Sequence, residues 1–189
     1  STTPIEYPQP SRAEYEDRLA RTRAAMERSG LTHLLVYGDR EHSANLAWLT
    51  GFDPRFEESV LILGMQGHPL ILVGTECESY LRISPLFTGG LMRSERFEPF
   101  SLLGIARDQS RQLEEIVRAE GVDERSRVAC VGWKYFAASE HPLGERALEI
   151  PAFLADTVRG ITPHVVNGSA LFQHPGNGLR SFCSASEIA

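Results

Sequence analysis

Cysteine is scarce: Cys77, Cys130 and Cys183 are the only three in 189 residues. An odd number this widely spaced excludes a disulfide framework and fits a reducing compartment. Neither these cysteines nor the six histidines fall into a zinc-binding spacing, and no HExxH helix occurs. GxSxG, GxxxxGK[ST] and GxGxxG are also missing, so the chain offers no nucleophile elbow and no phosphate-cradling loop. No stretch approaches 18 apolar residues, which argues against a membrane-spanning helix. No run of Lys and Arg offsets the formal charge of −6, which disfavours nucleic acid as a partner. The first ten residues lack the basic-then-apolar order of a secretion signal. A cytoplasmic protein with an extended leader over residues 1–10 is the expectation.

The rest of the composition is that of an ordinary globular protein, with 42% hydrophobic and 23% charged residues. The length suits one domain, or one domain with a linker. Ser11-Arg12-Ala13-Glu14 reads as a capping box that starts a helix, with Tyr15, Leu19 and Met26 on one face. Gly30-Leu31 reads as its Schellman stop. Leu34 to Tyr37 is then a buried strand, and residues 41–49 a short helix ending at Thr50-Gly51. Val60 to Leu63 and Leu70 to Val73 flank a Gly-containing connection of hairpin length, so these strands should be antiparallel.

Thr75 to Leu81 is read as a short helix and Met92 to Phe97 as an edge strand, followed by a turn-like stretch holding Leu102, Leu103 and Ile105. Asp108 is expected to cap a second amphipathic helix with Leu113, Ile116 and Val117 inward and Gly121-Val122 as its stop. Val128 to Val131 is a further buried strand around an inert Cys130, whereas Cys77 and Cys183 are expected at the surface. Pro151 suits a helix start, with Ala152, Phe153, Leu154 and Val158 as the inner face, and Val165-Val166 reads as a last strand. The alternation of helix and strand predicts an α/β domain over residues 11–172. Residues 173–189 read as a linker, with Gly176-Asn177-Gly178, and the opening turn of a further helix.

Between the first two strands lies a dense stretch, Asn45-Leu46-Ala47-Trp48-Leu49-Thr50-Gly51-Phe52-Asp53-Pro54-Arg55-Phe56-Glu57-Glu58. Packing gives no reason for a loop to mix aromatic, acidic and basic side chains in this way. Arg55 beside Phe52 and Phe56 could grip a carboxylate in a partly dry pocket; equally, the rings could plug the core while Arg55 pairs with Glu57 or Glu58. Asp53, Glu57 and Glu58 read more simply as a solvated or salt-bridged loop mouth than as metal ligands.

The run Asn45-Leu46-Ala47-Trp48-Leu49-Thr50-Gly51-Phe52 resembles the Asn-x-x-Tyr-Leu-Thr-Gly-Phe signature of the N-terminal domain in the creatinase/prolidase/aminopeptidase P family, the pita-bread metallohydrolases. Gly67-His68-Pro69 stands where that family has Gly-x-Pro. Leu179-Arg180-Ser181-Phe182-Cys183-Ser184-Ala185-Ser186-Glu187-Ile188-Ala189 is similar to the Leu-Arg-x-x-Lys-Ser-x-x-Glu-Ile-Ala that leads into the family's catalytic domain. Trp48 replaces a Tyr, and Cys183 a Lys.

The resemblance implies a three-layer, ribonuclease H-like α/β domain with a mixed sheet of about six strands and helices on both faces. It implies a domain without catalytic or metal-binding residues of its own, which serves oligomerisation and shapes the substrate entrance of an Xaa-Pro peptidase, with Phe52, Asp53, Arg55 and Phe56 at that entrance. The catalytic domain, with two divalent ions (manganese, cobalt or zinc), would be the partner of this one, in a homodimer or larger assembly. A creatinase-like or lyase relative, or a free-standing ligand-binding or interaction domain, is the alternative.

Overall fold

The computed structural model describes residues 9–104 and 106–188; most of the expected leader, and Ile105, lie outside them. Helix α1 (Arg12–Arg28) begins where the Ser11 hydroxyl accepts the Glu14 N–H at 3.2 Å. It ends as expected: Gly30 sits at φ 67°, and the Leu31 N–H reaches back to the Met26 carbonyl at 2.9 Å. A side chain at φ > 0 would be strained, so glycine at this position lets the chain turn straight into β1 (His33–Gly38). Helix α2 (Ala44–Thr50) closes in the same left-handed manner at Gly51, φ 70°. The hairpin β2 (Ser59–Gly64) and β3 (Leu70–Val73) is antiparallel, as its connection predicts.

A 3₁₀ turn (Ser79–Ile83), the short α3 (Pro85–Thr88) and β4 (Arg93–Arg96) follow. Helical geometry therefore starts later than the sequence suggests, because residues 75–78 are held in turns. β4 pairs parallel to β3 at the sheet edge, where Arg93, Glu95 and Arg96 each meet an opposite charge: Glu120, Arg111 and Glu78. Helix α4 (Leu113–Ala119) buries Leu113, Ile116 and Val117 as expected, but it starts at Gln112 and not at Asp108. The Glu115 carboxylate accepts the Gln112 N–H at 2.9 Å, so the cap comes from inside the helix. β5 (Val128–Val131), α5 (Ala152–Ile161), β6 (Val165–Asn167), α6 (Ser169–Gln173) and α7 (Ala185–Ile188) complete the order. In α5 the buried face is Leu154, Ala155, Val158 and Ile161, whereas Ala152 and Phe153 are exposed, the Phe153 ring meeting the edge of Phe100.

Among the described residues, six strands form one mixed sheet in the order β4-β3-β2-β1-β5-β6. Strand alternation splits the core cleanly in two. Leu34, Val36, Leu61, Leu63, Ile71, Val73, Ala129 and Val131 point to the face covered by α1, α2, α3 and α6. Leu35, Tyr37, Val60, Ile62, Leu70, Leu72, Val128 and Cys130 point to the face covered by α4 and α5. Because both faces are buried, the central strands are apolar throughout rather than alternating, and the fold is a three-layer α/β domain. Cys77 is buried, not exposed, because the turn that carries it folds under the loop that precedes β2.

The stretch read as a linker packs back on the domain. Leu179 is buried in the core, Arg180 donates to the Asn45 side-chain oxygen at 2.9 Å, and Glu187 lies 3.2 Å from the buried Arg18. None of the helices among the described residues is long and apolar enough to cross a membrane.

Candidate functional site

The dense loop runs from the left-handed Gly51 to the start of β2, and its anchoring decides which side chains reach the surface. Thr50 bonds its hydroxyl to the Leu46 carbonyl at 2.8 Å, and its carbonyl accepts from Ser84 Oγ. The Phe52 N–H then donates to Thr50 Oγ1 at 3.1 Å, which turns the ring inward against Tyr80, centroids 6.1 Å apart. Phe52 is fully buried, so of the four residues expected at an entrance it is a core plug and not a wall.

Asp53, Arg55 and Phe56 do reach the surface. Asp53 Oδ1 accepts the Arg55 N–H at 3.2 Å in an Asx-type turn, and Arg55 takes φ 55°, the one non-glycine residue with positive φ among the described residues. The Arg55 guanidinium lies 4.4 Å from the centre of the Tyr80 ring and 3.7 Å from Asp53, rather than pairing with Glu57 or Glu58. Tyr80 therefore supports one face of the guanidinium while its edge stays open to solvent, a geometry suited to a carboxylate. Phe56 is 55% exposed.

The expected solvated loop mouth fails at Glu57. Its carboxylate is buried and accepts the N–H groups of Glu76 at 3.3 Å and Cys77 at 3.1 Å. Two backbone donors thus take the place of water or a cation. Cys77 in turn donates its S–H to the Pro54 carbonyl at 2.9 Å, and burial, with the neighbouring Glu57 carboxylate, pushes this thiol up to about 12. Such a thiol is no nucleophile at neutral pH. Glu58 points the opposite way and accepts the Tyr37 phenol at 2.7 Å; burial and then that carboxylate push the phenol well above its ordinary range.

Phe56, Glu58, Tyr37, Asp39 and His42 line a shallow cleft of about 360 Å³. This cleft opens beyond the C-terminal end of β1, the side of a parallel strand pair where ligands collect in α/β sheets. Asp39 caps its own turn by accepting from the Glu41 and His42 N–H groups at 3.0 and 2.7 Å. The His42 ring stacks on Trp133 at 4.4 Å, and Lys134 Nζ lies 4.0 Å above the same indole. Trp133 itself is held through its N–H to Glu149, 2.8 Å, and through its carbonyl to Gln173, 2.9 Å. Tyr80, His42 and Trp133 were not singled out by the sequence. The usable signal was positional, since residues 39–42 and 132–134 directly follow two strands that prove parallel and adjacent.

Chemically the loop and cleft can bind and orient, with a supported guanidinium, exposed aromatic faces and carboxylates. Among the described residues no three His, Cys, Asp or Glu side chains lie together as a metal-ligand group.

No family model matches the chain, and no curated protein matches it. Solved structures do. Dipeptidase PepE from Mycobacterium ulcerans superposes with a TM-score of 0.63 at 20% identity, over 96% of this chain and 40% of that one. A dipeptidase from Pyrococcus horikoshii OT3 gives 0.59 at 14% identity, over 90% of this chain and 38% of its own. The creatinase/prolidase N-terminal domain of an X-Pro dipeptidase from Streptococcus pyogenes gives 0.52 at 12% identity, over 84% of this chain and 98% of that domain. The chain thus has the fold of the creatinase/prolidase N-terminal domain and spans about two-fifths of the length of the full dipeptidases it resembles.

Proposed function

We propose that the chain is the non-catalytic N-terminal domain of an Xaa-Pro peptidase, of the aminopeptidase P or prolidase type. The observation that carries this reading is the pair of coverages: nearly all of an isolated N-terminal domain, but only 40% of a complete dipeptidase. In this reading a separate catalytic domain supplies two divalent ions, manganese, cobalt or zinc. The domain works in the cytoplasm within a homodimer or larger assembly, and lends the catalytic cavity a rim.

Asp53, Arg55 and Phe56 form that rim, with Arg55 the contact for a substrate carboxylate. Its support on Tyr80 and its open guanidinium edge favour this role over a plain surface ion pair. Phe52 acts one step back, by anchoring the loop in the core.

The test uses the 189-residue chain and the complete protein side by side. The chain alone, with added manganese, should leave an Xaa-Pro dipeptide uncleaved while the complete protein cleaves it; cleavage by the chain alone would refute the assignment. In the complete protein, Arg55→Ala should raise KM or lower turnover, by about tenfold for one lost charge-assisted contact. Unchanged kinetics would return Arg55 to a surface ion pair.

A further inference from the structure

A cavity of about 590 Å³ lies well away from the loop, over β5 and β6 on the face that carries α1. It exists because the helical layer has a gap there. Helix α1 stops at Gly30, α6 is only five residues long, and the residues beneath and between are small: Ala25, Ala129, Gly168 and Ala170. Leu31, Val166 and Leu171 give it an apolar floor and flank.

Its rim is cationic in a chain whose formal charge is −6. Arg28 and Arg127 both line it, with His174 beside them and Glu145 as the one carboxylate. Among the described residues, neither guanidinium forms an ion pair or a side-chain hydrogen bond. Arg28 is not needed to cap α1, whose last carbonyls already accept the N–H groups of Ser29, Gly30 and Leu31. Arg127 is fixed by its backbone, which exchanges hydrogen bonds with Thr32, so its guanidinium has no structural task. A smaller cavity of about 170 Å³ shares Leu31, Arg127, Glu145 and Val166, and adds Arg146 and His164 to the basic side.

We propose that this cavity is a binding site for a small organic anion, an apolar body carrying a carboxylate or a phosphate. The apolar part lies on Val166 and Leu171, and the anionic head is gripped by the paired donors of Arg28 and Arg127. The volume is within the range of small-molecule sites, roughly 300–1,000 Å³. This inference is independent of the peptidase reading, because it concerns a different part of the domain and needs no catalytic partner.

The experiment is an amide NMR titration of the 189-residue chain with hexanoate, phenyl phosphate, 1-hexanol and inorganic phosphate. Saturable shifts at Gly30, Ala129, Gly168 and Leu171 are expected with hexanoate or phenyl phosphate, and which of the two binds more tightly identifies the head group. Arg127→Ala, which truncates an exposed side chain, should weaken binding about tenfold, and Ala170→Phe should block the cavity. The proposal is overturned by the absence of saturation, by binding that neither variant changes, or by 1-hexanol or inorganic phosphate binding as well as the organic anions.

Discussion

The guanidinium of Arg55 rests 4.4 Å from the centre of the Tyr80 ring, across 24 residues of intervening sequence that include the whole β2–β3 hairpin. Arg55 also holds the one non-glycine positive φ among the described residues, so the contact and the backbone strain occur together. Their energies can be separated. Arg55→Ala removes the ring contact, about 0.5–1 kcal/mol, and keeps the strain; Arg55→Gly removes both. In urea denaturation the glycine variant should therefore be about 1 kcal/mol more stable than the alanine variant, whereas equal stabilities would mean that the φ value carries no cost.

Glu57 should be the least replaceable acid of the loop. Glu57→Gln leaves one oxygen for two backbone donors and points an NH₂ at the other, at a cost of about 1–3 kcal/mol. Denaturant unfolding measures it; a cost close to zero would mean that water reaches the carboxylate.

The thiols should differ in reactivity. At pH 8, iodoacetamide should modify the exposed Cys183 and spare the buried Cys77 and Cys130, with all three labelled in urea. The Cys77 thiol keeps its proton in the fold up to about 12, against an ordinary value of 9.0, so its folded form is fully favoured below 9. Its contribution to stability is lost as pH rises from 9 through 12. Thermal unfolding across that window, compared with Cys77→Ser, is the readout, and identical pH profiles would exclude this thiol as a source of the loss.

Arg18 is buried, donates to the Trp48 carbonyl at 2.9 Å and pairs with Glu14 at 2.6 Å and Glu187 at 3.2 Å. Arg18→Met should cost about 1–3 kcal/mol, mainly by leaving the buried Trp48 carbonyl without its donor. Glu187→Gln should cost little globally but speed amide exchange over 184–188. Unchanged exchange there would mean that the Glu187 contact does not hold the segment down.

The parts of the fold that the sequence made legible are those whose causes are local. The Gly30-Leu31 stop, the hairpin, and the strands Leu34–Tyr37 and Val128–Val131 each announce themselves through a turn residue or an uninterrupted apolar run. The loop has no period, so nothing local told Phe52 from Phe56. The choice rests on a bond from the Phe52 N–H to Thr50 and on a ring supplied by Tyr80. Glu57 looked solvated because its partners, two backbone amides about 20 residues further on, leave no mark on side-chain spacing. Asp108 has the residue type of a cap, but the cap position is Gln112, whose N–H is held by Glu115 from within the helix. His42 and Trp133 meet only because β1 and β5 are neighbours, a fact of topology.

The edge strand β4 has a bearing on how the molecule behaves in a crowded solution. Its unpaired margin would invite another strand to dock, yet its residues are Arg93, Ser94, Glu95 and Arg96, and each charge is tied to a partner outside the strand. A strand arriving there would have to break these pairs and desolvate their charges. Growth of the sheet through β4 therefore carries a desolvation cost that growth through the uncharged edge strand β6 does not.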